Sequence, residues 1–104
     1  MIKVFGHKAP DTDATASAII WAWYMKQKGI NAVPYVLGKP NTEAAFVINY
    51  WGFDIPDILK DIEKGEDVII VDTNNPAELP NNISNANIIE IIDHHLLIGG
   101  LKTN

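Results

Sequence analysis

The sequence predicts an α/β domain, an open parallel sheet of about four strands with flanking helices joined as βαβ units. Three observations predict it. Short apolar runs at 2–5, 32–37, 68–71 and 87–92 are separated by longer stretches, the first of them with strong helical character. Val68-Ile69-Ile70-Val71 is apolar without alternation between Asp67 and Asp72, the pattern of a parallel strand covered on both faces. Each group of chemically active side chains follows one of these runs.

Taken in order, residues 2–5 read as a strand with Gly6 letting the chain turn, and Pro10 blocks helix until Thr12, which can cap a helix at 13–28. That helix has Ala14, Ala18 and Ala22 at four-residue spacing for close approach to the sheet. It is apolar around most of its circumference, with Trp21 and Trp23 pointing in different directions, so a second face also needs cover. Lys26 and Lys28 suit its negative end and Gly29 its stop. A right-handed crossover leads to the strand at 32–37. Asn41 or Thr42 can cap a second helix that carries Glu43 in its first turn and ends at Gly52, and Phe46, Trp51 and Phe53 are expected in the core. Residues 56–64 read as a short amphipathic helix, Ile58, Leu59 and Ile62 inside, Lys60, Asp61, Glu63 and Lys64 outside. Residues 76–85 read as loop with at most a short helical turn, and the strand at 87–92 runs into Asp93-His94-His95. No internal repeat is present.

At 104 residues and 47% apolar composition the chain suits one globular domain. It has no cysteine, which excludes disulfides and thiolate metal sites and fits a cytoplasmic setting. The longest apolar run is too short for a bilayer and no basic leader precedes it, so a soluble, unexported protein without a membrane partner is expected. A net charge of −5 without a cluster of Lys or Arg argues against a general nucleic-acid surface, and would repel an anionic substrate from the bare protein. Asp11, Asp13, Asp72 and Asp93 supply four negative charges at the candidate site, which two divalent cations would offset.

The clusters are His7, Asp11 and Asp13 after the first strand, Asp72 after the third, and Asp93, His94 and His95 after the fourth. In a parallel sheet these ends share one edge, where open α/β sheets bind ligands. Imidazole and carboxylate together suit Mn²⁺, Co²⁺, Zn²⁺ or Fe²⁺. Each cluster alone has a plainer reading: carboxylates favouring a helix N-terminus, an Asx-turn between Asp72 and Asn74, two surface histidines in a loop. The coincidence of all three histidines of the chain with these strand ends carries more weight than any one motif. Adjacent histidines on extended chain point opposite ways, so one of His94 and His95 can bind metal while the other faces substrate, and Asp93 can orient an imidazole from behind.

These residues resemble the DHH phosphoesterases. Gly6-His7-x-x-Pro10-Asp11-x-Asp13-Ala14, Val71-Asp72-x-Asn74 and Asp93-His94-His95 look like three motifs of that family. The stretch Leu37-Gly38-x-Pro40-Asn41-x-Glu43-x-x-Phe46-Val47-Ile48-x-Tyr50-Trp51-Gly52 is similar to its family II, manganese-dependent inorganic pyrophosphatase branch. The resemblance covers essentially the whole chain and implies a partial, Rossmann-like DHH domain. It implies that His7 and Asp11 hold a first metal, Asp13 and His94 a second, and that Asp72 bridges them. His95 would contact substrate phosphate and help protonate the leaving group. A Mn²⁺ (or Co²⁺) pair, with Mg²⁺ accompanying the substrate, would hydrolyse inorganic pyrophosphate to two phosphates with a hydroxide shared between the ions.

Two positions depart from the pattern. Thr73 stands where the pyrophosphatase motif commonly has His, and a Thr there also occurs in the nuclease-like branch. Family members also continue beyond the equivalent of Asn104 with a further metal-binding Asp and a second domain whose Lys and Arg grip the phosphates. Residues 1–104 are therefore expected to be the leading portion of a metal-binding catalytic domain without the C-terminal substrate-binding domain, weak or inactive alone and self-associating through uncovered apolar surface, as a homo-oligomer. An oligonucleotide exonuclease or nucleotide phosphatase of the same family, and a non-catalytic metal-binding module, remain the alternative readings.

Overall fold

The apolar runs form the sheet, and one strand more than expected joins it. A computed structural model describes residues 1–73 and 75–92. Strands β1 (Ile2–Phe5), β2 (Ala32–Val36), β3 (Asp57–Ile58), β4 (Asp67–Val71) and β5 (Asn87–Ile92) make one parallel sheet in the order β3-β2-β1-β4-β5. Helix α1 (Thr12–Gln27) links β1 to β2 and α2 (Thr42–Tyr50) follows β2, while two 3₁₀ turns, Pro76–Glu78 and Ile83–Asn85, lie between β4 and β5. The chain winds outward from β1 in one direction through β2 and β3, then in the other through β4 and β5. The direction of winding therefore reverses between β1 and β4, and the carboxyl ends of that pair are where open α/β sheets bind their ligands.

The alternation of side chains along β1 and β4 divides the core in two. Val4, Ile69 and Val71 face α1 and pack with Ala18, Ala22, Met25 and Ala32, whereas Phe5, Val68 and Ile70 face the other way, onto Ile62, Leu79, Ile83 and Ile88. β4 is thus buried on both faces, as its unbroken apolar run requires. The second face is covered, among the described residues, by loop and 3₁₀ residues. Among the described residues no helix is long and apolar enough to cross a membrane.

Three expectations are corrected. Helix α1 begins one residue earlier, with Asp11 as the N-cap in place of Thr12. The Asp11 carboxylate accepts from the Ala14 N–H at 2.9 Å, and Thr12 instead donates its hydroxyl to Glu43 at 3.0 Å. Residues 56–64 do not form a helix. β2 would otherwise leave its outer edge unpaired, and Asp57–Ile58 pairs with Tyr35 and Val36 while the Leu59 N–H donates to the Val36 carbonyl at 2.8 Å. Two turns of isolated helix gain too little to compete with that edge. Ile62 still reaches the core, but Ile58 is exposed. Finally, Phe46, Trp51 and Phe53 are exposed rather than buried, because α2 turns Ala44 and Ile48 inward. Phe46 and Tyr50, one turn apart on the outer face, stack with centroids 6.2 Å apart. Helix α2 also packs beside α1, covering part of its second face, while Trp21 is half-buried and Ile20, Trp23 and Tyr24 stay in solvent.

Gly6 sets how close α1 comes to the sheet. A Cβ there would lie 2.9 Å from Ala14 Cβ, 3.2 Å from the Val71 carbonyl oxygen and 3.3 Å from Ala14 Cα. Two of those three atoms are backbone and the third is the Cβ of a helical alanine, so no flexible side chain can give way. Gly6→Ala is expected to destabilise the domain by about 1–3 kcal/mol through overpacking. Thermal unfolding measures it, and an unchanged midpoint would mean that the helix is free to retreat.

Candidate metal centre

β1 and β4 are paired with Val4 opposite Ile69 and Phe5 opposite Ile70. Continued two residues, that register sets His7 level with Asp72, each just past the end of its strand. Asp72 takes up a left-handed backbone conformation (φ 59°), which Asp tolerates better than most residues, and its N–H donates to the Ile92 carbonyl at 2.8 Å. Its carboxylate is almost wholly buried, with one oxygen 3.3 Å from His7 Nε2. Asp11 Oδ1 approaches the same nitrogen at 3.6 Å while capping α1, and its side chain remains half exposed.

The tautomer of His7 follows from its other nitrogen. Nδ1 lies 2.7 Å from the Lys8 carbonyl oxygen, which can only accept, so Nδ1 carries the proton. In the neutral ring Nε2 is then the bare lone pair, aimed between two carboxylates. That arrangement is repulsive until a cation enters it, either a proton or a metal. Burial lowers the His7 pKa, but the hydrogen bond to Lys8 and the charges of Asp11, Asp72 and Glu78 outweigh it, and the net shift is upward from 6.5.

Donor atoms of His7, Asp11 and Asp72 all lie within 4.8 Å of one another. Atoms bound at about 2.1 Å to one ion are themselves roughly 3.0–3.4 Å apart, and the two distances to Nε2 fall at or just beyond that range. One nitrogen and two oxygens suit a borderline-hard divalent ion. The donor set therefore fits a metal on geometry and on charge.

Of the other candidate residues, Asp13 is exposed in the first turn of α1 and is not in this convergent group. Asn74, Asp93, His94 and His95 lie outside the described residues. The sequence reading overlooked Glu78. It sits in the first 3₁₀ turn, its carbonyl accepts from the Lys8 N–H at 2.7 Å, and its carboxylate accepts from the Thr73 hydroxyl at 3.0 Å. No spacing rule points to it, because the contact is made by a loop folding back beneath another loop.

Fold and cluster together define a parallel α/β domain with a metal-ligand cradle at its winding reversal. The chain belongs to the DHH family: its sequence matches the family's N-terminal domain over residues 1–104. It is 44% identical over 93 residues to a Staphylococcus epidermidis protein named probable manganese-dependent inorganic pyrophosphatase, a match covering 88% of this chain and 30% of the relative. A Deinococcus radiodurans protein of the same name is 37% identical over 103 residues, 99% of this chain and 32% of the relative. Among solved structures, a Methanococcus jannaschii protein assigned to the family II inorganic pyrophosphatases superposes with a TM-score of 0.85 at 36% identity, covering all of this chain and 32% of that one. The chain thus spans about a third of the length of the relatives it matches.

The raised His7 pKa fixes the sign of a pH effect. A metal must displace the Nε2 proton, so Mn²⁺ affinity is expected to be full above that pKa and to fall about tenfold per pH unit below it, the decline starting above pH 6.5. Mn²⁺ titration between pH 5 and 8.5 measures this, and a flat affinity would remove His7 from the coordination shell. Asp11 should separate into two functions. Asp11→Asn keeps a capping oxygen and loses metal affinity alone, whereas Asp11→Ala also lowers stability by about 1 kcal/mol. Equal melting points for the two variants would contradict the cap.

Proposed function

We propose that this chain supplies the metal-binding part of a manganese-dependent enzyme that hydrolyses inorganic pyrophosphate to two phosphates. The observation that carries the reading is the convergence of His7 Nε2 with the Asp11 and Asp72 carboxylates where the winding reverses, in a chain 37–44% identical to proteins named for that activity. A Mn²⁺ (or Co²⁺) pair, when bound, supplies Lewis-acid polarisation of phosphoryl oxygens and lowers the pKa of water. The residues supply the rest. The Nδ1–H bond to Lys8 keeps the His7 lone pair aimed, and the Ala14 N–H fixes the Asp11 carboxylate. With a metal pair bound, Asp72 would be shared between the two positions, Asp13 and His94 would hold the second, and Asp93 would orient an imidazole. Water would add its oxygen to one phosphorus as the P–O–P bond to the other phosphate breaks, and His95 would deliver a proton to that departing phosphate.

With no cysteine and a net charge of −5, the chain offers no thiol nucleophile, and the anionic substrate needs cations to enter. Mg²⁺ arriving with pyrophosphate serves that need. The groups that grip the substrate's oxygens belong to a further substrate-binding domain, so the isolated 104 residues turn over slowly. Each missing contact to developing charge costs roughly a hundredfold. We assign the protein to the cytoplasm, without nucleic-acid or membrane partners, and assign the exposed Ile20, Trp23, Phe46, Tyr50 and Trp51 to self-association.

Phosphate release with Mn²⁺, from pyrophosphate and from a dinucleotide side by side, on this chain and on any longer natural form, tests the reading. Metal-dependent release from pyrophosphate is expected, and release only from the dinucleotide would overturn it. Asp72→Asn should weaken Mn²⁺ binding more than Asp11→Asn or Asp13→Asn, by more than the roughly 10–100-fold that loss of an outer partner costs. Two ions still held tightly by Asp72→Asn would remove the bridging role.

A further inference from the structure

The two loops that carry His7 and Asp72 are joined by a connection outside the ligand set. Thr73 follows Asp72 directly and is only 2% exposed. Its hydroxyl donates to Glu78 Oε1 at 3.0 Å and accepts from the Asn75 N–H at 3.2 Å, so both of its capacities are used. Glu78 is held in turn within the 3₁₀ turn, its N–H donating to the Asn75 carbonyl at 2.9 Å, and the Asn75 side chain caps that turn through the Ala77 N–H at 3.1 Å. The same residue's carbonyl then accepts from Lys8, the neighbour of His7, at 2.7 Å. Glu78 therefore touches the Asp72 loop with its side chain and the His7 loop with its backbone.

We propose that Thr73 and Glu78 form a positioning pair that locks the loop after β4 to the loop after β1 and thereby sets the separation of the His7 and Asp72 ligand atoms. Neither residue belongs to the convergent donor group. The pair acts through the two ligands, and it rests on the metal-centre reading above. Without the pair the loop after β4 loses this tie to the loop after β1, and in Glu78→Ala the buried Thr73 hydroxyl loses its acceptor. Loss of an outer partner of this kind costs on the order of tenfold in metal affinity.

Two measurements on the whole chain test this. In the metal-free chain, hydrogen exchange at the Lys8 amide should be roughly tenfold faster in Thr73→Val and Glu78→Ala, since slackening one loop frees the hydrogen bond to the other. Mn²⁺ affinity should fall about tenfold in each variant and no further in the double variant, because both break one connection. Thr73→Ser and Glu78→Gln keep the donor and the acceptor and should stay near the parent in both measurements and in melting point. An unchanged Lys8 exchange rate, additive losses in the double variant, or a Glu78→Gln as impaired as Glu78→Ala would overturn the proposal, the last by showing that charge rather than the hydrogen bond acts. Failure of the parent chain to bind Mn²⁺ would instead refute the metal centre, leaving the exchange measurement to decide the pair on its own.

Discussion

The close approach of the first turn of α1 to the ends of β1 and β4 is the constraint on which the candidate site depends. Gly6 lies against Ala14 and the Val71 carbonyl with no space for a Cβ. Because the helix can start so near the strand end, the loop between them is only long enough to carry His7 and Asp11 round a tight turn. Both side chains then converge with Asp72 at the end of β4. A Cβ at position 6 would move the helix start, the cap and the candidate ligands together. Packing at one glycine thus determines the geometry of donors that have no packing role themselves.

The strands, and the delivery of His7 and Asp72 to one sheet edge, were legible in the sequence because they follow from burial and topology. β4 had to be covered on both faces, β5 matched its apolar run, and parallel strands deliver their following residues to one edge. What could not be read were contacts made by backbone groups. Residues 56–64 have a fair helical pattern, but the open edge of β2 claimed two of them, and an edge's need for partners leaves no mark on hydrophobic periodicity. The aromatic residues misled for a related reason. α2 needs only Ala44 and Ile48 to pack closely, so size was a poor guide to which face is inside. Of the site, His7, Asp11 and Asp72 were legible and come together. Glu78 was not, because its link to His7 runs through the Lys8 amide rather than through any side-chain motif.

Asp11 shows why a site at a helix start is economical in residues. The same carboxylate oxygen that accepts the Ala14 N–H lies 3.6 Å from His7 Nε2. The helix end already favours a negative group, so the charge that a metal requires is held in place by an interaction the helix would make anyway. Half of that carboxylate remains in solvent. A purely structural ion pair gains little from an exposed partner, since solvent screens it. A ligand gains access.

Backbone strain separates a cation cradle from a structural ion-pair triad. A protonated His7 between Asp11 and Asp72 would be attractive in itself and could exist merely to join two loops. But Ala9 is held at φ 52° and Asp72 at φ 59°. For Ala9, an L-residue with no side-chain compensation that also precedes Pro10, the left-handed region costs about 1–2 kcal/mol. The strain falls mainly on Ala9, since Asp72 tolerates the left-handed region better, and the half-exposed pair of His7 with Asp11 contributes roughly 1 kcal/mol or less toward it. Strain of this kind persists where the surroundings over-determine it, and it gathers at sites that bind. Here the tight Gly6 packing and the strand register over-determine both loops, and the strained backbone brings a neutral imidazole lone pair and two carboxylates to one point. A divalent ion that bound all three donors at once would offset that crowding more completely than a proton, which sits on the imidazole alone.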